Sequence, residues 1–207
     1  MHNKQIILTA RILSMTFTPF YLSLVGLVAL FTFSYLSLAP WLYKLQVVGM
    51  AYIFTILLPT LLIHAYRCYN GWTLLELGQK EKRMVPYAIS ILCYAACYTL
   101  MEMMHIPHFV TIILIAALCI QIVCAVANIW WKVSTHTAAI GGVAGALQAF
   151  ALLFGFNPTW WLCLVLIVAG MVGTSRMLLR QHTLWQVVGG FLLGLFTAFT
   201  LIITNYM

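Results

Sequence analysis

The amino-acid sequence predicts an all-α protein, a polytopic bundle of about seven transmembrane helices, with six as the alternative. Of its 207 residues, 64% are hydrophobic and 6% are charged, whereas roughly a quarter of the residues in a soluble domain are charged. Only three residues are acidic, and none is aspartate. So few charges cannot cover a solvated surface, which excludes a soluble enzyme and a disordered protein. The apolar runs are continuous rather than alternating, which favours helices over strands.

Seven segments are long and apolar enough to span a bilayer, which takes about 20 residues of helix. The predicted spans are 12–37, 45–66, 86–104, 109–131, 137–155, 159–178 and 183–204. Turn-forming pairs such as Asn157-Pro158 separate them. Because the first span contains Pro19, its beginning could instead be an interfacial segment. We expect a retained helix there, since the apolar run is too long for a signal peptide.

Glycines in the fifth and seventh predicted spans have the small-xxx-small spacing of closely packed membrane helices. They are Gly141, Gly142, Gly145, Gly189, Gly190 and Gly194. The sequence therefore predicts close contact between these two spans.

Basic residues are concentrated on one face of the membrane, here called the N-terminal face because the chain is predicted to begin there. With seven spans, Lys44 is the single cation near the opposite face. The nine others lie on or near the N-terminal face: Lys4, Arg11, Arg67, Lys80, Lys82, Arg83, Lys132, Arg176 and Arg180. The positive-inside rule then predicts that this face is cytoplasmic. Alternatively, several of these cations bind an anion.

Three polar clusters lie at loops on the N-terminal face. Their patterns are Lys80-x2-Arg83-x2-Pro86, Lys132-x-Ser134-x-His136-Thr137 and Ser175-Arg176-x5-His182-x3-Gln186. Two spans separate each cluster from the next, and an even number of crossings returns the chain to the same face. We therefore expect all three clusters to meet in one pocket.

The side chains in these clusters suit phosphate chemistry. Arginine forks match phosphate oxygens, and lysine adds a point charge. His136 and His182 lie at predicted helix starts, where free backbone N–H groups also favour an anion. Two histidines in such a pocket indicate a nucleophile and a general acid.

These motifs resemble those of the type 2 phosphatidic acid phosphatase (PAP2) superfamily, in its membrane lipid phosphatase branch. The family's third motif is Ser-Arg-x5-His-x3-Asp, which here reads Ser175 to Gln186. Its second is Pro-Ser-Gly-His, here Val133-Ser134-Thr135-His136. Its first is Lys-x6-Arg-Pro, here only Lys80-x2-Arg83-x2-Pro86. The resemblance covers about residues 80–190. It divides the chain into N-terminal transmembrane helices, 1–79, and a catalytic transmembrane core, 80–207, within one integrated domain.

The resemblance implies a role for each matched residue. His182 is similar to the nucleophile that becomes phosphohistidine. His136 is similar to the acid that protonates the leaving alkoxide and then activates water. The implied phosphate-binding residues are Arg176, Arg83, Lys80, Ser134 and Ser175. Lys132 matches no motif position, and we include it because of its charge. We expect no metal and no cofactor, because guanidinium groups can hold the charge.

Gln186 departs from the family pattern, because it stands where the family has aspartate. On a helix, residues 182 and 186 share a face. The amide oxygen of a glutamine can accept from the His182 ring N–H and fix the tautomer. It cannot supply the negative charge that stabilises an imidazolium. We expect either weaker activity or a substitute carboxylate.

The leading functional hypothesis is a metal-independent membrane phosphatase that hydrolyses a lipid phosphate or diphosphate monoester. A lipid phosphotransferase using the same histidines, an anion transporter and a non-catalytic relative are the alternatives. The expected partners are membrane lipids and a lipid phosphate substrate, with no nucleic acid. The expected location is a bacterial cytoplasmic membrane. The charge bias favours a site on the cytoplasmic face of that membrane, whereas the resemblance favours a site on the extracytoplasmic face. We predict the extracytoplasmic face.

Overall fold

The computed structural model describes residues 2–71 and 84–206, and every regular element in that part of the chain is helical. The helices are α1 (His2–Thr16), α2 (Pro19–Phe33), α3 (Trp41–Tyr52), α4 (Leu58–Tyr69), α5 (Met84–Met103), α6 (His108–Trp130), α7 (Thr135–Phe154), α8 (Thr159–Leu178) and α9 (Leu184–Tyr206). A short 3-10 helix follows α2, and the π-helical turn Ile53–Leu57 joins α3 to α4.

Six of the described helical segments are long and apolar enough to cross a membrane. They are Trp41–Tyr69, which combines α3, the π-helical turn and α4, and the five helices α5 to α9. A seventh span results if the bent pair α1 and α2 counts as one. The all-α transmembrane prediction is confirmed, and the last six predicted spans agree with these segments to within a few residues.

The predicted first span, 12–37, is broken at Pro19. Helix α1 ends at Thr16 and helix α2 starts at Pro19, with a bend of 57° between them. Proline has no N–H for the helical ladder, and its ring disfavours the helical conformation of the preceding residue, here Thr18. The helix therefore stops at this point, and α1 takes its own direction.

The described residues form two compact units. One consists of Ser23–Leu118, and its core holds Tyr94, whose hydroxyl lies 2.8 Å from Ser23 Oγ. The other, here called the site unit, consists of the residues up to Leu22 and those from Cys119 onward. The site unit contains α1, α7, α8 and α9.

Within the site unit, α7 and α9 lie in backbone contact. A Cβ atom added to Gly194 would overlap the carbonyl oxygen of Ala138, and one added to Gly141 would overlap that of Phe191. Without side chains at these positions, the helices approach closely enough for dispersion forces between backbones to act. The predicted close packing of these two spans is confirmed, and it brings the beginnings of α7 and α9 together.

Candidate active site

Two of the three predicted polar clusters meet at the beginnings of α7 and α9. The Lys132 ammonium donates a hydrogen bond to the carbonyl of Gln181, with 2.6 Å between the heavy atoms. The backbone N–H of Ser134 donates to the carbonyl of Gln186 over 3.2 Å. These bonds tie the segment before α7 to the segment that opens α9, so His136 and His182 belong to one site.

The turn after α8 explains the five-residue spacing between Arg176 and His182. Arg180 adopts a left-handed φ of 53°, and its N–H donates to the carbonyl of Met177. The next N–H, that of Gln181, reaches the carbonyl of Arg176 over 3.1 Å. This pair of bonds is a Schellman motif, which ends a helix and reverses the chain. The reversal brings His182 back toward Arg176.

The Gln186 side chain orients His182. Its Oε1 atom lies 3.3 Å from His182 Nδ1 and also accepts the backbone N–H of Thr183 over 3.2 Å. Thr183 immediately precedes α9, so Gln186 caps the helix in the manner of the glutamine in a capping box. An amide oxygen only accepts, so this contact selects the tautomer with the proton on Nδ1. The lone pair of that ring is then on Nε2.

His136 is the second residue of α7 and faces the same site. Its ring forms a hydrogen bond with the backbone of Ser14 and interacts electrostatically with Arg176 and His182. Its Nδ1 atom is buried without a hydrogen-bond partner among the described residues. Because more than nine in ten buried polar groups are satisfied, as a rough figure, such an atom marks a place where a ligand would bond.

Ser134 has a second buried polar atom of this kind. It precedes α7 in the N-cap position, where a serine hydroxyl normally accepts a backbone N–H of the first turn. Here the side chain makes no capping bond, and Oγ is buried without a partner among the described residues. The hydroxyl is therefore available to donate to an anion beside His136.

Arg176 lies in the last turn of α8, and its Nη1 donates to Ser14 Oγ over 2.8 Å. Ser14 is 6% exposed and belongs to α1, far away in the sequence. No motif pointed to Ser14. The one available signal was a small polar residue between apolar neighbours in the first predicted span.

Asn128 is a second residue to which no motif pointed. Its side chain is buried near the end of α6, and Oδ1 accepts the backbone N–H of Val133 over 3.1 Å. That bond holds the segment leading to Ser134. The available signal was an amide inside an apolar span, since polar groups at membrane depth usually have a task.

The structure shows no unpaired group facing the site for the remaining predicted phosphate-binding residues that it describes, Ser175 and Lys132. Ser175 is buried, and its hydroxyl donates to the carbonyl of Met171 within its own helix. Lys132 is exposed and holds Gln181, as described above. Lys80 and Arg83 lie outside the described residues, so the position of the first cluster stays a prediction. Within 2–71 and 84–206, no three His, Cys, Asp or Glu side chains lie together as a metal site would need.

Comparison with known proteins gives one family match. Residues 128–207 match the model of the PAP2 superfamily. The matched segment begins at Asn128 and contains the second and third motifs, whereas α1 and the first cluster precede it. No curated protein and no solved structure gives a significant match to the chain. The PAP2 superfamily generally comprises phosphatases, and the apolar helices fit a membrane member of it. The chain is thus an integral membrane protein that is helical in every regular element of its described residues, and its residues 128–207 match the PAP2 superfamily model.

Proposed function

We propose that the protein is a membrane phosphatase that hydrolyses a lipid phosphate or diphosphate monoester through a phosphohistidine on His182. The observation that carries the proposal is the pairing of two histidines at neighbouring helix starts. One is oriented through Nδ1 by Gln186, and the other lies within electrostatic reach of Arg176. An all-helical chain with so few charges suits a substrate that resides in the bilayer.

In the first step, His182 Nε2 attacks phosphorus, and the bond from phosphorus to the ester oxygen breaks. The His136 ring, in its protonated form, donates a proton to the departing alkoxide, which leaves as an alcohol, and the ring becomes neutral. Arg176 and the Ser134 hydroxyl stabilise the charge on the equatorial phosphoryl oxygens, where most of the catalytic effect is expected in phosphoryl transfer. The product on the protein is an Nε2-phosphorylated His182.

In the second step, His136 accepts a proton from water, and the oxygen attacks the phosphohistidine. The phosphorus–nitrogen bond breaks, inorganic phosphate leaves, and His182 recovers its lone pair. Gln186 keeps the Nδ1 proton in place through both steps. Because Gln186 is neutral, it orients the cationic ring without the Coulombic stabilisation that a carboxylate would add.

The test is phosphate release by the purified protein from a panel of lipid phosphates and diphosphates, in detergent and with EDTA present. We expect His182→Ala to lose at least about 1,000-fold in turnover, because a covalent pathway has no substitute nucleophile. His64→Ala is the matched control, since that histidine is exposed in α4, and it should retain full activity. Full activity in His182→Ala would overturn the assignment.

Radiolabelled substrate distinguishes the alternatives. An acid-labile label on the protein, absent from His182→Ala, is expected, and it should accumulate in His136→Ala if the second step needs His136. A labelled lipid product instead of free phosphate would indicate a phosphotransferase. Phosphate flux into proteoliposomes that survives loss of both histidines would indicate an anion transporter. Neither activity with any substrate would indicate a non-catalytic relative.

We also propose that the site opens to the extracytoplasmic side. Gln181 is exposed beside the site, and Phe156 is exposed in the turn between α7 and α8, at the other end of both helices. Each is replaced by cysteine in a background lacking the exposed Cys68 and Cys163. In intact cells, a membrane-impermeant thiol reagent should label the Gln181→Cys protein and not the Phe156→Cys protein. The reverse pattern would place the site in the cytoplasm.

A further inference from the structure

Helix α1 contacts the site although it precedes the family-matched segment. Ser14 is the contact residue: its hydroxyl oxygen lies 2.8 Å from Arg176 Nη1, and its backbone forms a hydrogen bond with His136. The side chain is buried, so water does not compete for either bond. One residue of α1 therefore contacts two of the groups assigned to phosphate chemistry.

We propose that Ser14 is a positioning residue, which holds the Arg176 guanidinium in the orientation that binds the phosphoryl group. This rests on the proposed function of Arg176. A guanidinium presents five donors in a planar fork, and fixing one of them fixes the plane of the others. The hydroxyl is neutral, so it orients Arg176 without cancelling the charge that attracts phosphate. A carboxylate at the same place would orient it and neutralise it.

Binding of inorganic phosphate, followed by its effect on thermal unfolding in detergent, measures this role without requiring turnover. Ser14→Ala should raise the Kd for phosphate by about tenfold, the usual effect of losing one hydrogen bond to a charged group. Thr16→Ala is the matched control, because Thr16 is also a hydroxyl residue of α1 but is exposed. It should leave the Kd unchanged. Ser14→Thr, which keeps the hydroxyl, should restore most of the affinity.

A double-mutant cycle separates positioning from a general structural effect. If Ser14 acts through Arg176, Ser14→Ala should have no further effect on phosphate binding in an Arg176→Ala background. An equal loss in both backgrounds, or an unchanged Kd in the single variant, would overturn the proposal. A phosphate-binding wild type that releases no phosphate from any ester would contradict the proposed function and leave the positioning role intact.

A cavity supplies a second, independent observation. A groove of about 410 Å³ lies between α1 and α8, lined mainly by apolar residues of both helices, among them Ala10, Leu13 and Leu166. The lining includes Ser175, the neighbour of Arg176 in the chain. The lining residues of α8 run from Leu166 to Leu178, over which the helix rises about 18 Å, comparable to the roughly 15 Å of hydrocarbon in one leaflet.

We infer that this groove holds the hydrocarbon chain of the substrate while its phosphate occupies the site. The inference rests on the proposed function. An amphiphile matches this surface, because the apolar groove lies along α8 and includes Ser175, next in the chain to the Arg176 of the cationic site. The groove would then select for chain length, which the site itself cannot do.

Gly170 allows the groove to be filled without disturbing the fold. A Cβ added there meets nothing within 4 Å, and the same holds for Gly49 of α3, in the other unit, which makes Gly49→Leu the matched control. The readout is kcat/KM for dioleoyl phosphatidate relative to dihexanoyl phosphatidate. Gly170→Leu should lower this ratio about tenfold, as expected when a few methylene groups of the substrate are no longer buried. Gly49→Leu should leave the ratio unchanged.

Other outcomes are equally informative. An unchanged ratio, or an equal loss with both substrates, would overturn the groove while leaving the phosphatase assignment in place. A wild-type protein that hydrolyses neither ester would refute the proposed function for this substrate class, and the groove inference with it.

Discussion

Two helix contacts in the site unit differ in how closely the helices approach. Helix α9 meets α7 through glycines, and an added Cβ on Gly194 would overlap the backbone of Ala138. Helix α1 meets α8 across an open groove, where Gly170 has free space around it. The close contact fixes the two helix starts that carry the histidines, since displacement of reacting groups by about 1 Å can cost 100-fold in rate. The open contact leaves room for a ligand.

The largest effect is expected from breaking the close contact. Gly194→Ala should destabilise the protein by about 3 kcal/mol, because its Cβ would push against α7 backbone that cannot move aside. Activity should fall with it, since His182 would shift relative to His136. The measurements are the unfolding midpoint in detergent and phosphate release.

Gly170→Ala is the control on the open contact. It should slightly stabilise the protein, because alanine is a better helix former than glycine by about 1 kcal/mol. A loss of stability equal to that of Gly194→Ala would show that the two contacts do not differ as described.

An intermediate effect is expected at Gln186, where α9 begins. Gln186→Leu removes the acceptor for both Thr183 N–H and His182 Nδ1. We expect turnover to fall about 10- to 100-fold, because a displacement of a reacting group by about 1 Å can have an effect of this size. Gln186→Glu keeps the acceptor and adds the charge that stabilises a cationic ring, so it should be at least as active as the wild type. Equal activity in all three proteins would mean that Gln186 does not orient His182.

The smallest effect is expected in the turn between α8 and α9, which connects a helix of the open contact to a helix of the close contact. Arg180 occupies the left-handed position of the Schellman motif, which glycine adopts without strain. Arg180→Gly should stabilise the protein by about 1 kcal/mol, a gain that thermal unfolding can detect. Arg180→Val should destabilise it, since a branched side chain is poorly tolerated at positive φ. A loss of stability in Arg180→Gly would indicate that the side chain itself supports the turn.

The sequence was sufficient for the fold class and for part of the site. Span positions follow from bilayer thickness and continuous apolar runs, which need no tertiary information. The glycine spacing predicted the contact between α7 and α9, and the even number of crossings placed the second and third clusters on one face. The Lys132–Gln181 hydrogen bond agrees with that placement.

The contributions of α1 could not be predicted in the same way. The break at Pro19 follows from local backbone geometry. The direction of α1, which precedes the break, depends instead on the surface of α8 against which it packs. That packing involves residues with no sequence periodicity in common, such as Ser14 and Arg176. Asn128 was visible as an amide in an apolar span, but its task emerged only from the backbone of Val133.

The Ser14–Arg176 contact also has a consequence for biosynthesis. The two residues are 162 positions apart. At the usual rate of about 5–20 residues per second, roughly 8–30 s separate their synthesis. During that interval α8 has not been synthesised, so α1 cannot pack against it and Ser14 cannot bond to Arg176. Assembly of this site is therefore a late event, completed only after the C-terminal helices have entered the bilayer.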